Sequence, residues 1–184
     1  REWELPMHTR DIGRQFRSLH LDRSAIDEDA RTVALSFSSE APVDRWWGVE
    51  ILGHNPAEVD LSWVGSGHAP VLADHDARSQ IGVVIDARIG KDRRGRAVVR
   101  FGSSPRAEQE WRDVLGGVRS NVSVGYEILD LQPVSEVDGV KTFRATKWRP
   151  LEVSLVSIPA DMSVGVGRAA NSFGESNMNA RSSD

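Results

Sequence analysis

The 184-residue sequence contains no cysteine, no long apolar run and no excess of positive charge. Without cysteine the protein cannot be a disulfide scaffold, use a thiol nucleophile or bind metal through thiolates. A membrane-spanning helix needs about 18 or more consecutive apolar residues, and no such run occurs. The formal net charge of −4 gives no general attraction to nucleic acid or anionic lipid. We therefore expect a soluble, intracellular protein with no membrane or nucleic-acid partner.

What is present is the composition of one globular domain with flanking segments. Residues 1–30 are charged and only patchily apolar, which predicts an N-terminal arm, and they lack the layout of a secretory signal. Residues 31–161 carry the regular patterns of a folded domain. In residues 162–184, Ser, Gly, Asn and Ala fill 14 of 23 positions, which predicts a flexible tail or linker. Because residue 1 is Arg, we expect a processed form or a piece of a longer protein.

The central region is predicted to be mainly β, with one peripheral helix. β-Branched and aromatic residues cluster between turn-forming stretches, as is typical of strands. The predicted strands are 32–37, 46–52, 81–89, 96–101, 122–131, 141–148 and 151–158. Gly90 and Gly95 are expected to supply positive φ angles at one hairpin, and Asp138-Gly139 marks a second. Ser104 as N-cap, Pro105 and the spacing of apolar residues predict a helix that ends at Gly116-Gly117.

Two residues are candidates for nucleophilic chemistry with an oxygen nucleophile. His75 follows a short apolar run at 70–72, so a strand can hold its backbone while its side chain reaches a surface as a general base. Ser123 is predicted to share a strand face with Gly125, which leaves space above the strand for a substrate backbone. The alternatives are a solvated surface histidine and a strand serine beside a bulge.

Glu152 is a candidate acid, because it begins the last predicted strand and points to a largely apolar side. A buried carboxylate needs a partner, since an unpaired buried charge is costly. Its structural alternative is an ion pair with a neighbour such as Arg149 or Arg144. Asp74 and Asp76, beside His75, are competing acids.

A metal site or cofactor is not predicted. His68, Asp74, His75 and Asp76 are ligand types, but no helical metal-binding spacing occurs, and adjacent strand residues point in opposite directions. His54 and His68 fall in turn sequences and are interpreted as loop residues. The Gly-rich stretch 65–68 lacks the lysine and the following helix of a phosphate-binding loop.

An ordered set of three motifs resembles the tailed-phage prohead protease family, which is related to herpesvirus assemblin. The motifs are LADHD followed by IGV at 72–83, VSVGY at 122–126 after an amphipathic helix, and LEVSLVSIPAD at 151–161. The resemblance covers roughly residues 33–165. It departs from the family at Trp46-Trp47 and in the long loop 53–69, which leaves the shape of the substrate pocket open.

The resemblance implies a closed or nearly closed β-barrel with surrounding helices. It also implies a serine endopeptidase that cleaves scaffold or capsid precursor proteins in the assembling procapsid of the bacterial host. A homodimer or an assembly-dependent oligomer and self-cleavage are expected with it. By this resemblance residues 31–161 are the protease domain, Ser123 is the nucleophile and His75 the general base.

The remaining roles at the site are less directly matched. Assemblin-type enzymes use a second histidine as third member, and Glu152 stands at the corresponding place here. The turn after the last strand, Ala160-Asp161, is predicted to supply an oxyanion-hole N–H. The alternative function is a catalytically inactive β-barrel that acts as an assembly or scaffold-binding module, in which Ser123 and His75 lie too far apart for a hydrogen bond.

Overall fold

The computed structural model describes residues 9–20 and 26–158. Its two helices are α1 (Thr9–Ile12) and α2 (Pro105–Leu115). The strands are β1 (Gln15–His20), β2 (Ile26–Asp27), β3 (Thr32–Ser39), β4 (Val43–Arg45), β5 (Gly48–Leu52), β6 (Pro70–Ala73), β7 (Gln80–Ile89), β8 (Arg94–Phe101), β9 (Asn121–Val137) and β10 (Val140–Val156). The protein is thus mainly β, as predicted. Within these ranges no helix is both long and apolar enough to cross a membrane.

The described strands belong to one sheet that curls into a half-barrel. Its order is β1-β9-β10-β6-β7-β8-β3-β2, with β5 beside β10 and β4 beside β5. β10 runs parallel to β5 and β6 and antiparallel to β9. Through the curl, β1 returns toward the end of β3, where Arg17 donates hydrogen bonds to the carbonyls of Ser39 (3.1 Å) and Ala41 (2.7 Å).

The inner face of the curled sheet forms the hydrophobic core. Alternation in β3 buries Val33, Leu35 and Phe37 on that face, as the period of two along a strand requires. Packed with them are Val122, Val124, Tyr126, Trp148, Val153 and Leu155, among others from β9 and β10. These two strands therefore have one apolar inner face and a second face that is free to carry polar side chains.

One polar cluster lies within the core. Arg17 is 4% exposed and Glu50 is fully buried, and the Arg17 Nε and Nη2 atoms donate to Glu50 Oε1 at 3.1 and 3.0 Å. The Tyr126 hydroxyl also donates to Glu50 Oε1, at 2.5 Å, and accepts from Arg45 at 2.7 Å. Burial raises the pKa of Tyr126, and the negative charge of Glu50 adds to that rise. The cluster ties β1 to the rest of the sheet.

The helix α2 forms where the sequence predicts it. The Ser104 side chain accepts from the Ala107 N–H, Pro105 begins the helix, and Gly116 follows its last residue. Ala107, Trp111 and Val114 are buried on the face toward the sheet.

Four sequence predictions need correction. The predicted strands 141–148 and 151–158 are one strand, β10, because a β-bulge accommodates Pro150 inside it. Residues 46–47 lie outside strands, between β4 and β5. Residues 15–20, in the predicted arm, form β1 beside β9. At the first hairpin the positive φ falls on Arg93, not on Gly90 or Gly95.

Gly95 is needed for space instead, whereas a side chain at position 90 would meet only flexible, exposed side chains. A Cβ at position 95 would lie 2.2 Å from Ser38 Oγ, and one at position 90 would lie 2.2 Å from Arg96 Nη1. The second hairpin turns as predicted, with positive φ at both Asp138 and Gly139.

Candidate active site

Ser123 lies on the outer face of the sheet, opposite the core. The predicted alternation holds, because Val122, Val124 and Tyr126 belong to the core and Ser123 and Gly125 face the other way. In the β9–β10 ladder Ser123 pairs with Ser154 and Gly125 pairs with Glu152. Paired residues of antiparallel strands share a face, so the ladder brings Glu152 to the side of the sheet that carries Ser123.

A β-bulge at Leu151 sets this register. The ladder pairs Pro150 with Tyr126 and then Glu152 with Gly125, leaving Leu151 as the extra residue on β10. Without the bulge, Leu151 would pair with Gly125 and Glu152 with Val124, and Glu152 would point to the inner face, because a one-residue shift moves a side chain to the opposite face.

His75 reaches the same face from the turn between β6 and β7. Asp74 and His75 both have positive φ, 52° and 60°, and the Asp76 N–H donates to the Ala73 carbonyl at 3.0 Å. Two positive φ angles across such a hydrogen bond are the pattern of a type I′ turn, for which glycine is usually favoured. For residues with a Cβ the conformation costs about 1 kcal/mol or more each. The turn is therefore strained where it presents the imidazole.

The three predicted site residues form a continuous hydrogen-bonded chain. His75 Nε2 lies 2.9 Å from Ser123 Oγ, and His75 Nδ1 lies 2.7 Å from Glu152 Oε1. An ionised carboxylate can only accept, so with Glu152 ionised the ring proton is on Nδ1. Nε2 is then free to accept the proton of the Ser123 hydroxyl. This is the arrangement that a general base needs in order to activate a serine.

Glu152 is buried and fully paired, with Arg14 and Ser154 in addition to His75. It is 2% exposed and binds Arg14 at 2.8 Å through Oε1, and the Ser154 hydroxyl donates to Oε2 at 2.5 Å. The alternative of an ion pair with Arg149 or Arg144 is wrong. Those arginines bind other carboxylates, namely Asp60 and Glu127 for Arg149 and Glu40 and Glu58 for Arg144.

The space above Gly125 is occupied by the site itself. A Cβ there would lie 2.3 Å from Glu152 Oε1 and 2.6 Å from Arg14 Nη2. The prediction that this space admits a substrate backbone is therefore wrong for this structure. Gly125 instead allows the carboxylate and guanidinium to lie directly on the strand.

Phe16 covers the site from β1. Its ring centroid lies 4.1 Å from that of His75. The Cζ atom of Arg14 lies 5.3 Å from the centroid of the Phe16 ring. Ser123 is completely buried, whereas the His75 side chain is 21% exposed. Arg14 also lines a surface groove of about 310 Å³ together with Thr9, Gly13, Glu127, Ile128, Leu129 and Leu151.

The competing acids do not contact the imidazole ring. Asp74 binds Arg119 at 2.9 and 3.1 Å, and these hydrogen bonds lower the pKa of Asp74. Asp76 is bound by Arg78, and its pKa is lowered by the Arg78 backbone N–H and side chain. Glu152 is the acid on His75.

The other predicted site features are not brought into this cluster. Ala160 and Asp161 lie outside the described residues. Within the part of the chain that the structure describes, no three His, Asp or Glu side chains are grouped so that they could hold a metal ion.

Sequence reasoning missed three residues that contact the candidate site. Ser154 had a usable signal, because it lies two residues after Glu152 and so shares its face. Arg14 and Phe16 had none, since nothing in the first 30 residues indicated a strand beside β9.

A second serine–histidine pair lies in the core. His54 Nε2 is 2.8 Å from Ser38 Oγ, and His54 Nδ1 is 2.9 Å from the Leu52 carbonyl. His54 is 1% exposed and Ser38 is fully buried. Burial lowers the pKa of His54.

Comparisons with known proteins point to one family. A family model described as Caudovirus prohead serine protease matches residues 57–178. The chain is also 45% identical over 140 residues to the major capsid protein of Halomonas phage phiHAP-1, a match that covers 74% of this chain and 23% of the capsid protein. The chain thus spans only a minor part of that relative's length. No solved structure matches it significantly. By the family match over most of its length, the chain belongs to the Caudovirus prohead serine protease family.

Proposed function

We propose that the protein is a serine endopeptidase of phage capsid maturation, with Ser123 as nucleophile, His75 as general base and Glu152 as the acid that orients His75. One observation carries the proposal, the hydrogen-bonded chain from Ser123 Oγ through the imidazole to Glu152 Oε1. Family membership supports the same reaction class.

The first half of the reaction forms an acyl-enzyme. Ser123 Oγ attacks the scissile carbonyl carbon while its proton passes to His75 Nε2. Glu152 keeps the other ring proton on Nδ1 and stabilises the imidazolium that results. When the tetrahedral intermediate collapses, His75 gives its proton to the leaving amine and the peptide C–N bond breaks. In the second half a water molecule loses a proton to His75 and attacks the acyl carbon, and the bond from that carbon to Ser123 Oγ then breaks as His75 returns the proton to Oγ.

The developing oxyanion needs N–H donors near Ser123. Each such donor is worth roughly a hundredfold to a thousandfold in rate. We propose that the turn at Ala160-Asp161 supplies one N–H donor to the oxyanion, because β10 ends at Val156 close to the turn that carries His75. In support of that closeness, the Asp74 N–H donates to the Leu155 carbonyl at 2.8 Å.

The substrates that fit this family are scaffold and capsid precursor chains, cleaved in the assembling procapsid inside the host. We propose residues 31–161, with β1, as an assemblin-like protease domain that closes further into a barrel and works as a homodimer or assembly-dependent oligomer. Because the matched relative is a much longer major capsid protein, residues 162–184 are proposed to join the protease to a capsid chain and to be a site of self-cleavage.

The alternative of an inactive assembly module fits the site less well. It requires Ser123 and His75 to lie beyond hydrogen-bonding distance, and they are 2.9 Å apart. The carboxylate of Glu152 also contacts His75 Nδ1, which is the contact that orients a general base.

Labelling with a fluorophosphonate tests the proposal. The reagent forms a bond from phosphorus to an activated serine oxygen and releases fluoride, so mass spectrometry identifies the reactive residue. We expect the label on Ser123, its loss in Ser123→Ala and its retention in Ser38→Ala. Processing of a capsid precursor at the normal rate by Ser123→Ala, or a label on a different serine, would overturn the assignment.

A further inference from the structure

The strained turn that presents His75 is held by side chains outside the hydrogen-bonded chain. Asp74 and His75 both lie in the left-handed region, so the turn needs support from its surroundings to keep this shape. On the backbone side, the Asp74 N–H donates to Leu155 at the end of β10. On the side-chain side, the Ser157 N–H donates to Asp74 Oδ1 at 3.0 Å.

Arg119 provides the strongest of these supports. Its Nη1 and Nη2 atoms donate to the two Asp74 oxygens at 3.1 and 2.9 Å, a paired geometry that fixes both distance and orientation. Its Nε and Nη2 atoms donate to Glu110 of α2 at 2.7 and 3.2 Å, and Nη1 donates to Ser157 Oγ at 2.5 Å. Arg119 is only 10% exposed and Glu110 only 3%.

The position of Arg119 connects the separate parts of the site. Arg119 lies in the segment between α2 and β9, shortly before Ser123. Its partner Asp74 is the residue before His75. Its partner Ser157 directly follows β10, the strand that carries Glu152. Arg119 therefore links the segment before Ser123 to the turn that carries His75 and to the end of β10. These are the three segments that must be aligned for proton transfer.

We propose that Arg119 is a positioning residue of the active site, which acts through Asp74 to hold the His75 turn against Ser123. The inference rests on the proposed function. Its physical basis is that Ser123 and Glu152 are fixed to each other by the β9–β10 ladder, whereas the backbone of His75 lies in a turn outside that ladder. If that turn relaxes, the 2.9 Å hydrogen bond to Ser123 lengthens, and a displacement of about 1 Å can cost about a hundredfold in rate.

The test is the rate of fluorophosphonate labelling of Ser123, separated into a maximal labelling rate and an affinity for the reagent. Arg119→Ala is expected to lower the maximal rate about a hundredfold with little change in affinity. Arg119→Lys retains one charged contact, so it should recover part of the rate, and Asp74→Asn should lose about as much as Arg119→Ala. Arg119→Ala combined with Asp74→Asn should lose less than the product of the two separate losses, because both changes break the Arg119–Asp74 ion pair.

Arg144→Ala is the matched control. Arg144 also binds two carboxylates, Glu40 and Glu58, and is 22% exposed, but neither partner adjoins a residue of the site. Its labelling rate should stay within about threefold of the wild type, with a lower melting temperature. A folded Arg119→Ala or Asp74→Asn variant that labels at the wild-type rate would overturn the inference alone. A wild-type protein labelled elsewhere than Ser123 would instead overturn the proposed function.

Discussion

The molecule holds two serine–histidine pairs of nearly equal length. Ser123 Oγ lies 2.9 Å from His75 Nε2, and Ser38 Oγ lies 2.8 Å from His54 Nε2. In both pairs the second ring nitrogen also has an oxygen partner. A search for short serine–histidine distances would therefore return both pairs without ranking them.

The difference lies in what each imidazole can become. His75 Nδ1 faces a carboxylate, and the ring is 21% exposed, so the positive charge formed during proton transfer has a counter-charge and some solvent. His54 Nδ1 faces a neutral carbonyl in the core, where burial lowers the pKa of His54. A charged His54 would be costly there. The far partner and the burial of the ring therefore distinguish the proposed catalytic pair from the structural one.

Exchange of each histidine for alanine should separate the two pairs most widely. His75→Ala is expected to lower cleavage of a capsid precursor by about 10⁴-fold without loss of stability, because Ser123 loses its base. His54→Ala is expected to lower the free energy of unfolding by about 2–4 kcal/mol, since it leaves a cavity and unpaired groups at Ser38 and Leu52. Urea unfolding and cleavage rates measure both. A His54→Ala protein that is as stable as the wild type but has no activity would contradict the assignment of His54 to stability and His75 to catalysis.

The next largest effect is expected from Glu152→Gln. A glutamine amide can donate to His75 Nδ1, which would place the ring proton on Nε2 and prevent it from accepting from Ser123. We expect the cleavage rate to fall by about 10³-fold or more. Glu50→Gln is the control, because Glu50 is equally buried but faces the core. It should reduce stability and leave the rate per folded molecule unchanged; equal losses of rate in both variants would argue against a specific role for Glu152.

The glycines beside the two pairs allow a finer comparison. In Gly125→Ala the new Cβ would lie 2.3 Å from Glu152 Oε1 and 2.6 Å from Arg14 Nη2, so the acid must shift. We expect a tenfold to hundredfold lower cleavage rate, on the order of the cost of small displacements at a site. In Gly95→Ala the Cβ would meet Ser38 Oγ at 2.2 Å, which should cost about 1–3 kcal/mol of stability through overpacking. Thermal melts and cleavage rates measure both variants. A Gly95→Ala protein that loses activity, together with a Gly125→Ala protein that loses only stability, would contradict this comparison.

The smallest effect concerns acid stability near the core pair. Burial raises the pKa of Glu40, but hydrogen bonds from Arg93, Arg144 and the His54 N–H outweigh burial and lower it from 4.5 to about 2. Its contribution is therefore fully present above about pH 4.5 and is lost as the pH falls through about 2. Because Glu40 is 26% exposed and solvent screens its ion pairs, Glu40→Gln should cost about 1 kcal/mol or less at neutral pH and flatten this acid limb. Denaturant midpoints of both proteins between pH 2 and 7 measure this loss of stability at low pH. The same pH dependence in Glu40→Gln as in the wild type would refute the role assigned to Glu40.

The fold could be predicted from the sequence where local patterns decide it. Clusters of β-branched and aromatic residues predicted β3, alternation predicted the faces of β9, cap residues predicted α2, and Asp138-Gly139 predicted the long hairpin. The patterns failed for β1, whose polar Arg17 faces the core because Glu50 and the carbonyls of Ser39 and Ala41 accept its hydrogen bonds there. No local rule indicates a buried arginine when its partners are distant in sequence.

The candidate site was predictable in its members but not in its supports. Strand alternation and the ordered motifs indicated Ser123, His75 and Glu152. The bulge at Leu151 that aligns Glu152, and the clamp of Arg119 on Asp74, depend on register and on contacts between remote segments. Both are properties of the assembled sheet, so spacing in the sequence alone could not supply them.

The four register shifts of the β9–β10 hairpin have a consequence for insertions and deletions. Val134 and Leu129 are the extra residues on β9, and Thr146 and Leu151 are the extra residues on β10. Each strand carries two extra residues, so the shifts cancel. The pairs near the site therefore have the same register as the pairs near the hairpin turn. Deletion of one of these extra residues would remove its bulge and leave the pairs on either side unchanged, including Glu152 with Gly125. Length changes in related hairpins should therefore fall at the bulges and not at paired positions.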